Sequence, residues 1–176
     1  IRHLTGLGPK QLHNLTVSAS GKNRKQVVRR LQNRLCDLLG GASDYAQGLA
    51  RDLVGRAQSL SGAIVLAATG PGTKMNELMG LVLTQWSIEQ RIKRCWGDDA
   101  HISWVYFDDH PDWFPARAKR PDLLCVAARL HNGIVQLWLV VAEAKFINQA
   151  SVDVEYRDAT VQVANGLKRL GPGLAP

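Results

Sequence analysis

Apolar and polar positions along this chain fall into two periodicities. From about Asn23 to Leu39, the residues Val27, Val28, Leu31, Leu35, Cys36, Leu38 and Leu39 recur at helical spacing, and Gly40-Gly41 marks the stop. Ser43 is placed to cap a second helix over about Asp44–Gln58. The stripe Leu78, Leu81, Val82, Trp86, Ile88, Ile92 and Trp96 predicts a third helix from about Met75 to Cys95. A fourth, from about Val154 to Leu170, would turn Tyr156, Ala159, Val163, Leu167 and Leu170 to a sheet. Apolar runs predict buried strands at Gly62–Ala68, His101–Phe107, Leu123–Ala128 and Ile134–Ala142. Residues 1–21, rich in Gly, Ser and His, read as loop or linker, and no internal repeat is visible.

The last two runs carry the chemistry. His131-Asn132-Gly133 lies between them, and Asn-Gly is the strongest short-range hairpin signal. A hairpin folded there sets the start of one strand beside the end of the other. Pro121-Asp122 heads the first run and Glu143-Ala144-Lys145 closes the second, so Asp122 and Glu143 become neighbours. Two carboxylates held close repel unless a shared proton, a cation or a nearby Lys compensates. Mg²⁺ suits them as a hard cation preferring oxygen ligands, with Mn²⁺ expected to substitute. Glu143 and Lys145 are two apart and so share a strand face. Metal, carboxylates and ammonium on one face form a site for in-line attack on a phosphodiester, with Lys145 holding or polarising the water.

At these residues the chain resembles the PD-(D/E)XK nuclease superfamily, whose signature would be Pro121-Asp122 and Glu143-Ala144-Lys145. The resemblance covers about Gly72 to Gly171. It implies an α/β fold with a central mixed sheet flanked by helices, in a restriction-endonuclease-like αβββαβ core. It also implies metal ligation by Asp122, Glu143 and the Ala144 carbonyl. By the same resemblance, Glu77 would bind or orient the metal water from the first core helix, and Gln162 would approach the site from the last. The family's final strand should follow that last helix, and only the linker-like Gly171–Pro176 remains. Its place would be taken by Gly62–Ala68, by a partner, or by chain beyond Pro176. A start at Ile1 instead of Met likewise suggests a piece cut from a longer protein.

Composition adds a second feature. The 176 residues are 45% hydrophobic, enough for one full domain or a domain with a smaller appendage. The pI near 9.7 matters less than where the charge lies. Residues 1–60 hold ten Lys/Arg against three Asp/Glu, and residues 61–176 hold twelve of each. The expected organisation is therefore a basic helical region over 1–60 and a nuclease-like core over 61–176. Lys22, Arg24, Lys25, Arg29, Arg30 and Arg34 would grip DNA phosphates, and Arg117, Lys119 and Arg120 would clamp phosphates flanking the cut. Cys36, Cys95 and Cys125 are odd in number and sit in apolar settings, which reads as reduced core thiols in a cytoplasmic protein. No run reaches the roughly 20 apolar residues of a membrane span, and no signal peptide opens the chain.

Other motifs carry less. Gly70-Pro71-Gly72-Thr73-Lys74 has its glycines too close and Thr before Lys, so it is no phosphate loop. Glu89, beside Arg91, Lys93 and Arg94, reads as a surface salt-bridge partner. Asp108-Asp109-His110-Pro111-Asp112 could hold a second metal or be an ordinary loop. The leading expectation is a metal-dependent DNA endonuclease domain of a larger restriction or anti-phage defence protein. It would have ATPase or recognition domains beside it, with a homodimer compatible. The competing expectations are a nucleic-acid-binding module of the same fold without catalysis, and a protein-interaction domain whose basic helix contacts an acidic partner.

Overall fold

The computed structural model describes residues 3–5, 14–16, 21–41, 43–61, 64–65, 68, 74–115, 118–147 and 149–174. The chain divides into two compact units, Ile1–Leu78 and Met79–Pro176. The described residues form a mixed α/β protein with four helices, a three-stranded antiparallel sheet and a small two-stranded ladder.

In the first unit, β1 (His3–Thr5) pairs antiparallel with β2 (Asn14–Thr16), so the segment read as linker contains a short ladder. Helix α1 runs Gly21–Leu39 and α2 runs Ser43–Leu60. Between them Gly40 and Gly41 take φ of 72° and 104°, and the Gly41 N–H returns to the Cys36 carbonyl, closing α1 in a Schellman turn. Val27, Leu31 and Leu35 of α1 are buried with Ala46, Ala50, Leu53, Val54 and Ala57 of α2. Leu38 and Leu39, expected in the stripe, are about half exposed at 49% and 47%. The strand expected over Gly62–Ala68 is not one where it is described. Ile64 and Val65 are helical and buried, and the Ala68 N–H donates to the Ile64 carbonyl at 3.0 Å. A short apolar run fits a buried helical turn as well as a strand, and periodicity cannot separate the two.

Helix α3 spans Lys74–Trp96, and the division between units falls inside it. In the second unit β3 (His101–Tyr106), β4 (Leu123–His131) and β5 (Ile134–Ala142) form an antiparallel sheet in the order β3-β4-β5. No parallel strand joins it among the described residues, so the expected mixed sheet is antiparallel here. Asn132 and Gly133 take φ of 51° and 76°, the doubly left-handed turn that Asn-Gly favours. This fixes the register, with His131 opposite Ile134 and Leu123 opposite Ala142.

Both sheet faces carry packed apolar residues away from the turn. On one, Cys125 and Ala127 pack with Ile92, flanked by Ile88, Trp96, Trp104, Trp138 and Val140. On the other, Leu124 packs with Phe107 and Phe114, flanked by Val126, Val141 and Leu170 of α4 (Val152–Leu174). Trp86, expected in the α3 stripe, is 48% exposed, and Gln85 is buried instead at 3%. Glu89 is more than a surface charge, because its Oε1 accepts from the Gln85 amide and the Trp104 indole. Burial, then the Glu89 charge, pushes the Cys125 thiol up to about 11, which leaves it an inert core group. Cys95, by contrast, is exposed.

Helix α4 packs through part of the face its apolar residues suggested: Leu170 meets the sheet core and Ala159 and Val163 are half-buried, but two of the large side chains are not. Tyr156 is 72% exposed and Leu167 55%. Gln162 Nε2 donates to the Arg120 carbonyl at 2.9 Å and Asn165 Nδ2 to the Lys119 carbonyl at 2.7 Å. Gly166 lies against Pro121, where a β-carbon would come 2.7 Å from Pro121 Cγ and 2.8 Å from Val141 Cγ1. Two amides and a glycine thus outweigh two large apolar side chains. The loop before Pro121 presents two backbone carbonyls to the helix, and Gln162 and Asn165 satisfy them. The helix also continues through Pro172 to Leu174, past the expected linker-like end. Among the described residues no helix is long and apolar enough to cross a membrane.

A β-carbon at Gly166 therefore has to push α4 off the sheet. Gly166→Ala should destabilise by about 1–3 kcal/mol, the usual cost of overpacking. Gly55→Ala in α2, with nothing within 4 Å of the added carbon, should be neutral or stabilising. Urea melts of the two variants make the comparison. Equal stabilities would mean that α4 does not rest on Pro121.

Candidate active site

Residues at one end of the sheet are held by its register. The Asp122 N–H donates to the Ala142 carbonyl at 3.2 Å, and the Asp122 carbonyl accepts the Phe107 N–H at 2.9 Å. Its backbone is thereby fixed to β5 on one side and to the turn just past β3 on the other. Its Oδ2 accepts the Ala144 N–H at 2.8 Å, which ties the carboxylate to the chain just past β5. With Leu123 opposite Ala142, the next pair outward is Asp122 and Glu143. Alternation sends Asp122 to the face of Leu124, and Glu143 to that of Val141, which is the α4 face.

Glu143 is the most constrained group in this cluster. Its side chain is 4% exposed. Its Oε1 meets Lys145 Nζ at 3.0 Å, while its Oε2 is buried with no hydrogen-bond partner. Burial first, and then the charge of Asp122, raise its pKa from 4.5 to about 7 against the opposing pull of Lys145. Lys145 is drawn down by burial, but hydrogen bonds and charge from Glu143 and then Glu155 more than reverse this, and its pKa ends raised. It is an ammonium at neutral pH, a donor and a charge but not a base.

Glu155 was not foreseen. It lies in the first turns of α4, and its Oε2 stands 3.4 Å from Lys145 Nζ. Its sequence signal is only that of an acid near a helix N-terminus, which the helix dipole explains without any site. The ammonium thus bridges a strand-end carboxylate and a helix carboxylate. Beside it opens a cavity of about 300 Å³ lined by Gly80, Leu83, Thr84, Ser87, Ile88 and Phe146 as well as Lys145. Gly80 permits this approach, since a β-carbon there would stand 3.3 Å from Phe146 Cβ and 3.6 Å from the Lys145 carbonyl carbon.

The other expected residues are placed as follows. Gln162 reaches the Arg120 carbonyl, two residues before Asp122, so it holds the segment that carries the carboxylate. Glu77 belongs to the first unit, where its Oε2 meets Lys74 Nζ at 2.6 Å. Lys119 pairs with Asp158 at 2.8 Å, and its hydrogen bond and then its charge lower the Asp158 pKa. Arg120 pairs with Asp108 at 2.7 Å, while Asp108 also accepts from the Tyr106 hydroxyl. Lys119 and Arg120 are therefore engaged within the unit, and so is one carboxylate of the loop considered for a second metal. Arg117 lies outside the described residues, as does the Lys22 side chain.

Among the described residues no three His, Cys, Asp or Glu side chains converge as metal ligands. A cation here would take two carboxylates and complete its shell with a backbone carbonyl and water, as Mg²⁺ commonly does. The donor set fits such an ion on one specific point, because Glu143 Oε2 is a buried oxygen without a donor. No protein-family model, curated protein or solved structure gives a significant match to the chain.

The raised Glu143 pKa has a definite consequence for stability. A carboxyl whose folded pKa exceeds its unfolded value stabilises fully below the unfolded pKa, and that contribution is lost as pH rises through the folded value. The metal-free protein should therefore lose stability between about pH 4.5 and pH 7 through Glu143. Glu143→Gln should raise Tm at pH 8 and change it little at pH 5, and Asp122→Asn should do the same more weakly. Thermal melts in EDTA measure this. A lower Tm for Glu143→Gln at pH 8 would show that the charged form is well accommodated without metal.

Proposed function

We propose that the second unit is a metal-dependent nuclease domain that hydrolyses DNA phosphodiesters as an endonuclease. The observation that carries this reading is the meeting of Asp122, Glu143 and Lys145, with one buried Glu143 oxygen left without a donor. Two acids forced together at a strand end cost stability, and a divalent cation removes that cost while creating reactivity. The order of helix, three antiparallel strands and helix is compatible with a restriction-endonuclease-like core, which forms part of this proposal.

Mg²⁺, with Mn²⁺ as a substitute, would be held by Asp122, Glu143 and the Ala144 carbonyl. Bound there, it supplies Lewis acidity at the phosphate and lowers the pKa of water. The chain's own residues do the rest. The Ala144 N–H orients the Asp122 carboxylate through Oδ2. Lys145, kept protonated by Glu143 and Glu155, can donate to the attacking water or to a phosphate oxygen and offset charge gathering on the phosphate. Gln162 would position Asp122 by holding the Arg120 carbonyl two residues before it.

DNA would be gripped through phosphates by the cations of α1: Lys22, Arg24, Lys25, Arg29, Arg30 and Arg34. A cytoplasmic setting in restriction or anti-phage defence, beside ATPase or recognition domains, fits a nuclease unit joined to a basic one. It belongs to the proposal on that ground alone.

A plasmid-nicking assay with Mg²⁺, Mn²⁺ or EDTA tests the reading. Cleavage is expected with either metal and none with EDTA, and Asp122→Ala or Glu143→Ala should abolish it. Lys145→Ala should lower the rate by orders of magnitude with DNA affinity almost unchanged, because its charge matters mainly in the transition state. Lys145→Arg should rescue little, since the planar guanidinium differs in reach and donor geometry. Lost affinity with a normal single-turnover rate would recast Lys145 as a phosphate anchor in a binding module.

A further inference from the structure

The first unit contains a concave basic site of its own. Lys25, Arg29 and Gln32 recur along one side of α1 at helical spacing, and Gln47 and Arg51 lie one turn apart on α2. Together with Arg24 and Val28 they line a groove of about 510 Å³ between the two helices. That volume falls within the ligand-cleft range of about 300–1,000 Å³. Four of the seven lining residues are cations and none is an acid, so the charge is not neutralised from within.

Packing makes this arrangement unavoidable. The helices are clamped by their apolar faces, with Val27 and Leu31 of α1 and Ala46, Ala50 and Val54 of α2 fully buried. The residues beside those stripes are then forced to face each other across the groove. Among the described residues, the side chains of Arg24, Lys25, Arg29 and Arg51 make no hydrogen bond or ion pair. Arg30, one position on, behaves differently, because its guanidinium donates to the Ala68 carbonyl at 3.4 Å. Lys119 and Arg120 in the second unit are also partnered. A set of like charges held together without counter-charges is a cost that an anionic ligand removes.

We propose that the α1–α2 groove is a binding site for adjacent phosphates of a nucleic-acid backbone. Three guanidiniums suit phosphate oxygens, which they can meet in bidentate fashion. The lining decides between a nucleic acid and an acidic protein. Val28 is its only aliphatic residue and no aromatic is present, so a protein partner would find none of the apolar centre on which interface affinity depends. Polar, strongly positive surfaces are instead the mark of nucleic-acid interfaces. The missing aromatics also remove the stacking platforms by which single-stranded bases are held, so the groove tracks backbone and reads no sequence. Gln32 and Gln47 supply neutral donors to the same oxygens.

The inference deepens the DNA-gripping part of the proposed function and is independent of its chemistry. It brings in α2 through Arg51 and Gln47, which the charge run of α1 alone does not mark. Its test is the salt dependence of duplex DNA binding by the full chain in EDTA, followed by fluorescence anisotropy. Arg51→Ala and Arg29→Ala should each weaken binding to all sequences alike and flatten the slope of log K against log salt by about 0.9. Arg91→Ala, an exposed cation of α3, should leave the slope unchanged. An unaltered slope for Arg51→Ala would overturn the groove. So would displacement of the duplex by polyglutamate at equal charge, or by inorganic triphosphate at comparable affinity, since the occupant would then be an acidic protein or a soluble polyphosphate. Cleavage in Mg²⁺ is scored separately, so failure of the nuclease reading leaves this result standing.

Discussion

The β4–β5 register forces Asp122 and Glu143 into each other's company, and the rest of the second unit is built around that constraint. A hairpin closed by Asn132-Gly133 cannot slip by one residue without turning every β5 side chain to the opposite face. The two acids are therefore paired by main-chain geometry that neither can escape. Glu143 answers with a pKa near 7, Lys145 with an ammonium shared between Glu143 and Glu155, and Asp122 with a bond from the Ala144 amide.

The apolar layers hold this end of the sheet more firmly than the other. Leu123, Leu124 and Cys125, next to the acids, are buried. Leu130, Ile134 and Val135, at the turn, are 65–73% exposed. Helix α4 closes over the acid end through contacts that are largely polar, with Gln162 and Asn165 on two carbonyls and Gly166 against Pro121. A site built this way is preorganised by backbone and amide contacts, so its geometry depends little on flexible side chains.

Much of this was legible in the residues. The Asn-Gly turn, the two apolar runs and the E-x-K spacing suffice to place Asp122, Glu143 and Lys145 together. The four helices appear close to their expected bounds because their stripes and stops are strong. What was not legible follows from tertiary detail. On α4, the contacts of Gln162 and Asn165 to the carbonyls of residues 119 and 120, and of Gly166 to Pro121, leave no mark in a hydrophobic pattern. Glu155 looks like any acid at a helix start, and Lys119 and Arg120 look free until Asp158 and Asp108 are found beside them. Ile64 and Val65 show that a short apolar run can be helical as readily as extended, which periodicity does not separate. Arg51 joins the α1 cations only once the helices pack, because the sequence separates it from Arg29 by a whole connection.

The central claim is that the strand register imposes a charge conflict on Glu143 which a divalent cation resolves. Carbon-13 NMR of the Glu143 carboxyl, assigned with Glu143→Gln and followed against pH with and without Mg²⁺, tests it most directly. The account predicts a metal-free pKa near 7 that falls when Asp122 is changed to Asn and falls further when Mg²⁺ is added to the wild type. A value near the ordinary 4.5, indifferent to both Mg²⁺ and Asp122, would contradict it.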